Sequence, residues 1–554
     1  MRLAVLKTLP VAILAAVSAL TVFAAEPGPS LSEQIDQHIA AARLDYEQIA
    51  APVADDAEFL RRVYLDLTGT IPSVDQARTF FADTAPDKRA KVVDQLLAGA
   101  EYARHMQREF DVLLMRRLPS KHVPVAEWEK FLFDSFNANK PWDEVVRAMF
   151  TNDGSDPANR GPARFLLDRE ADITTVTRDI SKLFLGANLE CAQCHDHPQV
   201  DDFKQRHYYG VAAFFNRSFV FAGKDKPVVL AEKGDGEVTF ESVFEMRDKT
   251  STGPKSTPPR LFTSAAMSEP TFGKPEESYL VAPADNVRPV PRYSRRSKFA
   301  EVVVSAENRR FVRTTVNRIW AMLLGHGIVH PVDFDHTANK PSHPALLAHL
   351  TEEFAANGLD LKKLIRAIVL SKTYQRSSRM PEGKTAPPED AFAQGQLKPL
   401  SPSQLCYALL QGTGQADTQR IALGANLNEE SLFKALSGNE VHFVQLYGGL
   451  PGKPVERFES TAAQVLFFSN NPVVLNLLPP QNGNLSDRML KLPADNPKAV
   501  AEELYITSLT RLPTAEEAAE VEQYLAGLQG GDRNNAVYEL VWAAVSSAEF
   551  RLNH

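Results

Sequence analysis

The sequence predicts a mainly α protein: two helical domains with a small β-rich insertion and a proline-rich linker between them. Three observations carry this. Apolar residues recur at three- and four-residue spacing through most of 31–217 and again from 298 to 554. From Ser218 that spacing gives way to β-branched, alternating runs. From Thr252 to Pro291 prolines are frequent and helical spacing disappears. A chain of 554 residues also exceeds what one hydrophobic core organises, so several domains are expected.

At the N-terminus, Arg2 and Lys7 precede an apolar, alanine-rich stretch from Val11 to Ala25, which ends before Glu26-Pro27-Gly28-Pro29. Residues 1–25 read as a signal peptide. No later stretch is long and apolar enough to span a bilayer, so no transmembrane segment is expected after cleavage, and a periplasmic or secreted location follows. A net charge of −8 argues against a basic nucleic-acid-binding face.

In the first domain, 31–217, Leu31 to Ala51 reads as a leading helix. Phe59, Leu60, Val63, Tyr64 and Leu67 mark the next, broken by Gly69 and Pro72, and Ser73 is placed to cap a helix through Phe81. Val92 to Leu97, Phe110 to Leu118, Trp128 to Phe136 and Trp142 to Phe150 give four more. A polar loop, Asn152 to Pro162, separates these from a helix over Thr174 to Leu189.

That helix delivers the chain into Cys191-Ala192-Gln193-Cys194-His195, continuing Asp196-His197-Pro198. The chain has only three cysteines and two of them are here. Cys-x-x-Cys-His is the attachment pattern of c-type haem. Two thiols reach the two vinyl groups of one porphyrin edge, and the adjacent imidazole ligates the iron. On a helical turn positions i, i+3 and i+4 share a face, so Cys191, Cys194 and His195 can meet one flat ligand, with His195 proximal. The competing readings are zinc, completed by His195, His197 or His207, a redox dithiol, and a plain disulfide. His197 lies too close to His195 along the chain to ligate the far side of the same haem. His207, His122, His105 and Met106 are open as sixth ligands.

Tyr208, Val211, Ala212, Phe214 and Phe215 follow as an apolar helix face, read as core before haem-pocket wall. In the insertion, 218–297, Gly234-Asp235-Gly236 reads as a hairpin turn between Val228–Leu230 and Val238–Phe240, followed by a linker on the surface. In 298–554, Phe311 to Leu324 makes a strong apolar stripe closed by Gly325. Ser342 is read as a cap for a helix from Pro344 to Phe354, and Leu361 to Val369 gives the next helix. The lone Cys406 reads as a small core residue.

Arg164, Asp168, Arg169, Glu170, Arg178 and Asp179 read as a salt-bridged surface, with an arginine–propionate contact as the other reading. Asp196, Asp201 and Asp202 read as a solvated, capped turn. His326, His330, His336 and His343 match no coordination spacing.

Longer strings add a resemblance. Phe59-Leu60-Arg61-Arg62-Val63-Tyr64-Leu65-Asp66-Leu67-Thr68-Gly69, Val93-Asp94-Gln95-Leu96-Leu97, the cysteine motif and Tyr208-Tyr209-Gly210 resemble the planctomycete cytochrome-C-like secreted domain of the second type, whose function is unknown. Asn308-Arg309-Arg310-Phe311, Val316-Asn317-Arg318-Ile319-Trp320, Pro341-Ser342-His343-Pro344 and Ser547-Ala548-Glu549-Phe550 resemble the planctomycete-specific secreted domain that follows it. The resemblance implies a cytochrome-like haem site. Glu109-Phe110-Asp111-Val112 departs from the tryptophan-leucine-aspartate of many members. Many relatives also carry a smaller cytochrome-like domain first; none is read here, so a redox partner protein is expected in trans. The sequence therefore implies an exported protein with one haem c, serving electron transfer or as the redox component of an extracytoplasmic assembly. The alternative is a binding or scaffold protein whose Cys/His turn is held by zinc or a disulfide.

Overall fold

The helix Asp56–Thr68 stands at the centre of the molecule. In the computed structural model, which describes residues 28–224, 226–450, 461–493 and 495–554 and the backbone of 453–454, every residue from Glu58 to Thr68 is buried. The expected signal peptide lies outside the described residues. The Asp55 carboxylate caps the helix by accepting from the Glu58 N–H at 2.9 Å, and Gly69 ends it at φ 70°. Apolar spacing predicts the helix but not its complete burial, since an uncompensated charge at Arg61, Arg62 or Asp66 belongs in solvent. Each instead finds partners far along the chain. Arg61 donates to the carbonyls of Ser508 and Phe550. Arg62 pairs with Glu58 at 2.6 Å and donates to the Arg376 carbonyl at 2.8 Å. Asp66 takes Lys398, Tyr374 and Asn553. Buried charge is tolerable only when paired and hydrogen-bonded in this way.

The fold is mainly α, with only two-stranded sheets among the described residues. Apolar residues from both sides of 298 share one core. Phe150 meets Phe165, Phe184, Phe215 and Phe299 at ring-centroid distances of 4.9–6.0 Å. Val312, Val316 and Trp320 join the same cluster. Each such side chain, fully buried, contributes about 1.5–3 kcal/mol. A second core gathers Cys406, Leu409, Phe468, Val541 and Phe550 around Leu65 and Ile71. Cys406 is thus the small core residue expected.

The insertion differs from the reading of a hairpin and a surface linker. Strand β1 (Ser218–Phe221) pairs antiparallel with β2 (Val229–Glu232), Phe221 opposite Val229. Strand β3 (Val238–Phe240) pairs instead with β4 (Lys255–Thr257). No hairpin forms at Gly234–Gly236, because the surroundings claim that turn and the end of β2. The Gly236 carbonyl accepts from Asn216, Arg217 and Arg295, and the Glu232 carboxylate takes the Ser294 hydroxyl. The proline-rich stretch is strapped down: Glu269 pairs with the buried Arg295 and with Arg217 at 3.2 Å, and Met267 packs on the first core.

Two further readings need correction. Arg164, Asp168, Arg169 and Asp179 are buried rather than on the surface. Arg169 pairs with Asp179 at 2.7 Å and donates to the Leu114 carbonyl at 2.6 Å, tying down the end of helix Ala100–Met115. Ser342 does not cap Pro344–Ala356; its hydroxyl turns back to the Ile328 carbonyl, and His343 occupies the cap position.

Candidate functional site

The helix Ile173–Leu185, capped by the Asp172 carboxylate, leads to the cysteine motif. Gly186 ends it with φ 57°, and a Cβ there would lie 2.9 Å from Thr314 Oγ1. Only glycine allows both the turn and that approach. Residues Cys191–Gln193 then form one 3₁₀ turn. The amides of Cys194 and His195 both donate to the Cys191 carbonyl, at 3.2 and 3.3 Å. Ala192 is fully buried in a small cluster with Leu189, Val200, Phe203 and Tyr208. With that methyl group turned inward, both flanking thiols face solvent: Cys191 and Cys194 are exposed and unbonded to one another.

The turn is fixed from outside itself. The Tyr209 hydroxyl donates to the Gln193 carbonyl at 3.0 Å, and the Gln205 side chain to the same oxygen at 3.3 Å. The Asp196 carboxylate accepts from the Gln205 amide at 2.8 Å. The insertion reaches in as well: the Val243 amide donates to the Cys194 carbonyl at 3.0 Å. The second half braces the loop through Thr337, whose amide and hydroxyl donate to Asp202 at 2.6 and 2.9 Å. Arg310 spans the Leu185 and Asp335 carbonyls at 2.6 and 2.7 Å.

His195 Nδ1 lies 2.7 Å from the Asp196 carbonyl, which fixes the ring and leaves Nε2 without a hydrogen bond among the described residues. This is the arrangement of a metal-ligating histidine, whose other nitrogen is held by a backbone oxygen. The Phe244 ring lies 4.4 Å from the imidazole. Together with Phe240, Arg206 and Lys255 they bound an open cavity of about 440 Å³, within the size range of ligand sites. Cys191 and Cys194 do not line this cavity; with His195 they are the residues that would hold a haem, two thiols and one imidazole being the donor set it needs.

The other histidines have different surroundings. His197 accepts the Gln199 amide on Nδ1 at 3.2 Å, and burial lowers its pKa. His207 is buried with Nδ1 2.7 Å from the Asp202 carbonyl, and burial lowers its pKa too. Neither lines the cavity beside His195, and neither do His105, Met106 or His122. His122 pairs with Glu170 at 2.8 Å. Of the histidines of the second half, His326 stacks on His330 at 4.1 Å and shares Phe392 with His343, whereas His336 packs on Phe203 and Phe334 near the motif. Among the described residues no group of three or more His, Cys, Asp or Glu is disposed to hold one metal ion.

Residues 34–219 match the family PSCyt2, a protein of unknown function (DUF1549). Residues 295–436 match PSD1, a protein of unknown function (DUF1553). The chain carries both domains, in this order. This is the arrangement that the sequence strings indicated, although the PSD1 match stops short of Ser547–Phe550. The cysteine motif lies inside the PSCyt2 domain, and Arg310 and Thr337, which brace it, belong to the PSD1 domain. Neither the curated proteins nor the solved structures contain a match to this chain. No described helix is long and apolar enough to cross a membrane.

Phe240, Phe244 and Arg206 were not among the residues that the sequence singled out. The signal available was the aromatic content of Val238-Thr239-Phe240 and Val243-Phe244, but nothing local shows that this strand and turn fold back onto the motif.

Proposed function

We propose that the PSCyt2 domain holds one c-type haem on Cys191, Cys194 and His195, and that the protein works outside the cytoplasm as an electron-transfer component with a partner protein in trans. The observation that carries this reading is an oriented His195, its Nε2 without a hydrogen bond among the described residues and its ring on an open cavity, one short turn from two exposed thiols. When bound, haem supplies a one-electron iron couple whose potential its surroundings tune. The chain's own residues supply the rest. Ala192 turns the thiols outward, the Asp196 carbonyl sets the imidazole, and Phe244 shields one side of the ring. Phe244 and Met246 also stand about half exposed, an apolar edge suited to a transient partner.

The test is export from a cell with haem-attachment machinery, read by a reduced-minus-oxidised visible spectrum and a denaturing mass. Sharp haem bands and a mass gain of one haem, both lost in Cys194→Ser, are expected. A colourless protein of unmodified mass overturns the proposal. Metal analysis and thiol counting on that sample then separate zinc from a disulfide.

A further inference from the structure

A second cavity, of about 740 Å³, lies apart from the cysteine motif and does not depend on it. It opens where residues of the two family domains meet. Its walls are helix Ala100–Met115, the start of helix Val74–Ala82 and two short helices, Gln415–Leu423 and Glu429–Leu436. Junctions between domains are favoured places for small-molecule sites, and this volume is of their usual size.

The floor is apolar. Tyr407, Ala416 and Leu436 form it from the second core, and Leu432 and Phe433 pack alongside. The apolar surface continues out to the mouth, where Ile421 and Leu427 are 67% and 45% exposed. Large aliphatic side chains left in water beside an apolar hollow mark a binding surface. The wall is also fixed in place. The Arg104 guanidinium lies 4.2 Å from the ring centres of both Phe133 and Phe433, and it pairs with Glu429 through two bonds, at 2.8 and 3.1 Å. That grip ties helix Glu429–Leu436 to helix Ala100–Met115 and sets the Phe433 ring at the edge of the space.

The polar lining decides against an anion. All four arginines of the cavity are engaged within the chain. Arg104 is taken by Glu429. Arg108 lies over the Tyr407 ring at 4.0 Å, with Glu440 3.7 Å away. Arg420 pairs with Asp417 at 2.6 Å and Arg488 with Glu503 at 2.7 Å. The buried Gln411 is used at both ends, its oxygen by Arg420 and its nitrogen by Asp417. Asp75 and Glu101 make no ion pair among the described residues, and each stands in water in the first turn of a helix, where the helix dipole favours its charge. A carboxylate or phosphate entering here meets their repulsion and finds no arginine free to receive it. What the cavity has left to offer is apolar surface.

We propose that this cavity binds the aliphatic chain of a free, uncharged single-chain molecule of the long-chain alcohol type, with Ile421 and Leu427 lying against the chain at the mouth. The experiment titrates the purified protein with 1-decanol. Binding is read by displacement of the neutral dye N-phenyl-1-naphthylamine and by calorimetry at several temperatures. The expected result is saturable binding with a negative heat-capacity change, the mark of apolar burial. 1-Hexanol is expected to bind at least tenfold more weakly, since each buried methylene is worth about fourfold. Decanoate, with the same chain and a charge, is also expected to bind at least tenfold more weakly.

Ile421→Glu puts a charge at the mouth on an exposed position and is expected to weaken decanol at least fivefold without disturbing the fold. Leu512→Glu alters another exposed aliphatic residue, 55% exposed and outside the cavity, and is expected to leave binding unchanged. Phosphatidylcholine vesicles are expected to leave the protein in the supernatant on sedimentation. The proposal is overturned by no saturable binding, by equal binding of hexanol or decanoate, by an unmoved affinity in Ile421→Glu or by an equal loss in Leu512→Glu. Sedimentation with the vesicles also overturns it and assigns the apolar rim to a membrane surface.

Discussion

The Arg61 guanidinium donates to the Phe550 carbonyl at 2.9 Å, joining residues 489 positions apart in sequence. The same side chain reaches the Ser508 carbonyl, and its own carbon lies 5.8 Å from the Phe550 ring centre. Arg61 has no exposed surface, and burial lowers its pKa to about 10. Replacing it with methionine leaves two buried carbonyls without their donor. Arg61→Met is expected to cost about 1–3 kcal/mol, the loss typical of a buried polar group left unmade. The urea midpoint should fall with an unchanged slope. A midpoint equal to that of wild type would show that the two carbonyls find other donors.

A fragment ending at residue 297 contains the whole PSCyt2 match but loses Phe299, Val312, Val316 and Trp320 from the first core. It is expected to keep helical far-ultraviolet dichroism, lose its near-ultraviolet signal and bind a hydrophobic dye, the behaviour of a compact state without fixed packing. A sharp, cooperative unfolding transition for this fragment would show that the shared core is dispensable.

Gly210 lies under the proline-rich stretch. A Cβ there would come within 2.7 Å of Arg260 Cγ and 2.9 Å of its carbonyl oxygen, and the Arg260 amide donates to the Gly210 carbonyl at 3.1 Å. Gly210→Ala is expected to destabilise by about 1–3 kcal/mol through overpacking. It should also speed limited proteolysis between residues 247 and 260 several-fold. Unchanged cleavage would show that the strap is held without this contact.

His105 is buried beside Asp66 and Lys398, and burial lowers its pKa to about 3 from an ordinary 6.5. The unfolded chain therefore takes up this proton first as pH falls. Its contribution to stability is complete above about pH 6.5 and is lost as pH falls toward 3. In that window wild type is expected to lose up to about 1.4 kcal/mol per pH unit more than His105→Phe. Denaturant melts at several pH values test this. Parallel pH profiles for the two proteins would show that His105 does not carry the acid sensitivity.

What was legible in the sequence was local. The spacing of Cys191, Cys194 and His195 needs only one turn of chain, and it forms that turn. The helix over Phe59–Leu67 announced itself by its apolar stripe. Long-range partnerships left no such mark. Arg61, Arg62 and Asp66 look like solvated charges because, the nearby Glu58 apart, their partners lie between 308 and 489 residues away. Phe244 looks like a surface residue of a short β module until the Val243 amide is seen to bond the Cys194 carbonyl. The Gly234–Gly236 turn had good hairpin chemistry, but Arg295 and Arg217, more distant in sequence, won its carbonyl.

The central helix also sets an order in time. A chain made from its N-terminus has Asp56–Thr68 available long before residues 508, 550 and 553 exist to cover it. The helix's first-core face can be covered once residue 393 is made, whereas Leu65 and Arg61 wait in water for the second core and the last helices. Among the described residues the direct hydrogen bonds that brace the cysteine turn reach no further than Thr337, so it can take shape earlier. Chemistry at the thiols therefore has a head start over final folding, and a chain released before its last helix is made would be exposed to proteases and to aggregation with its motif already formed.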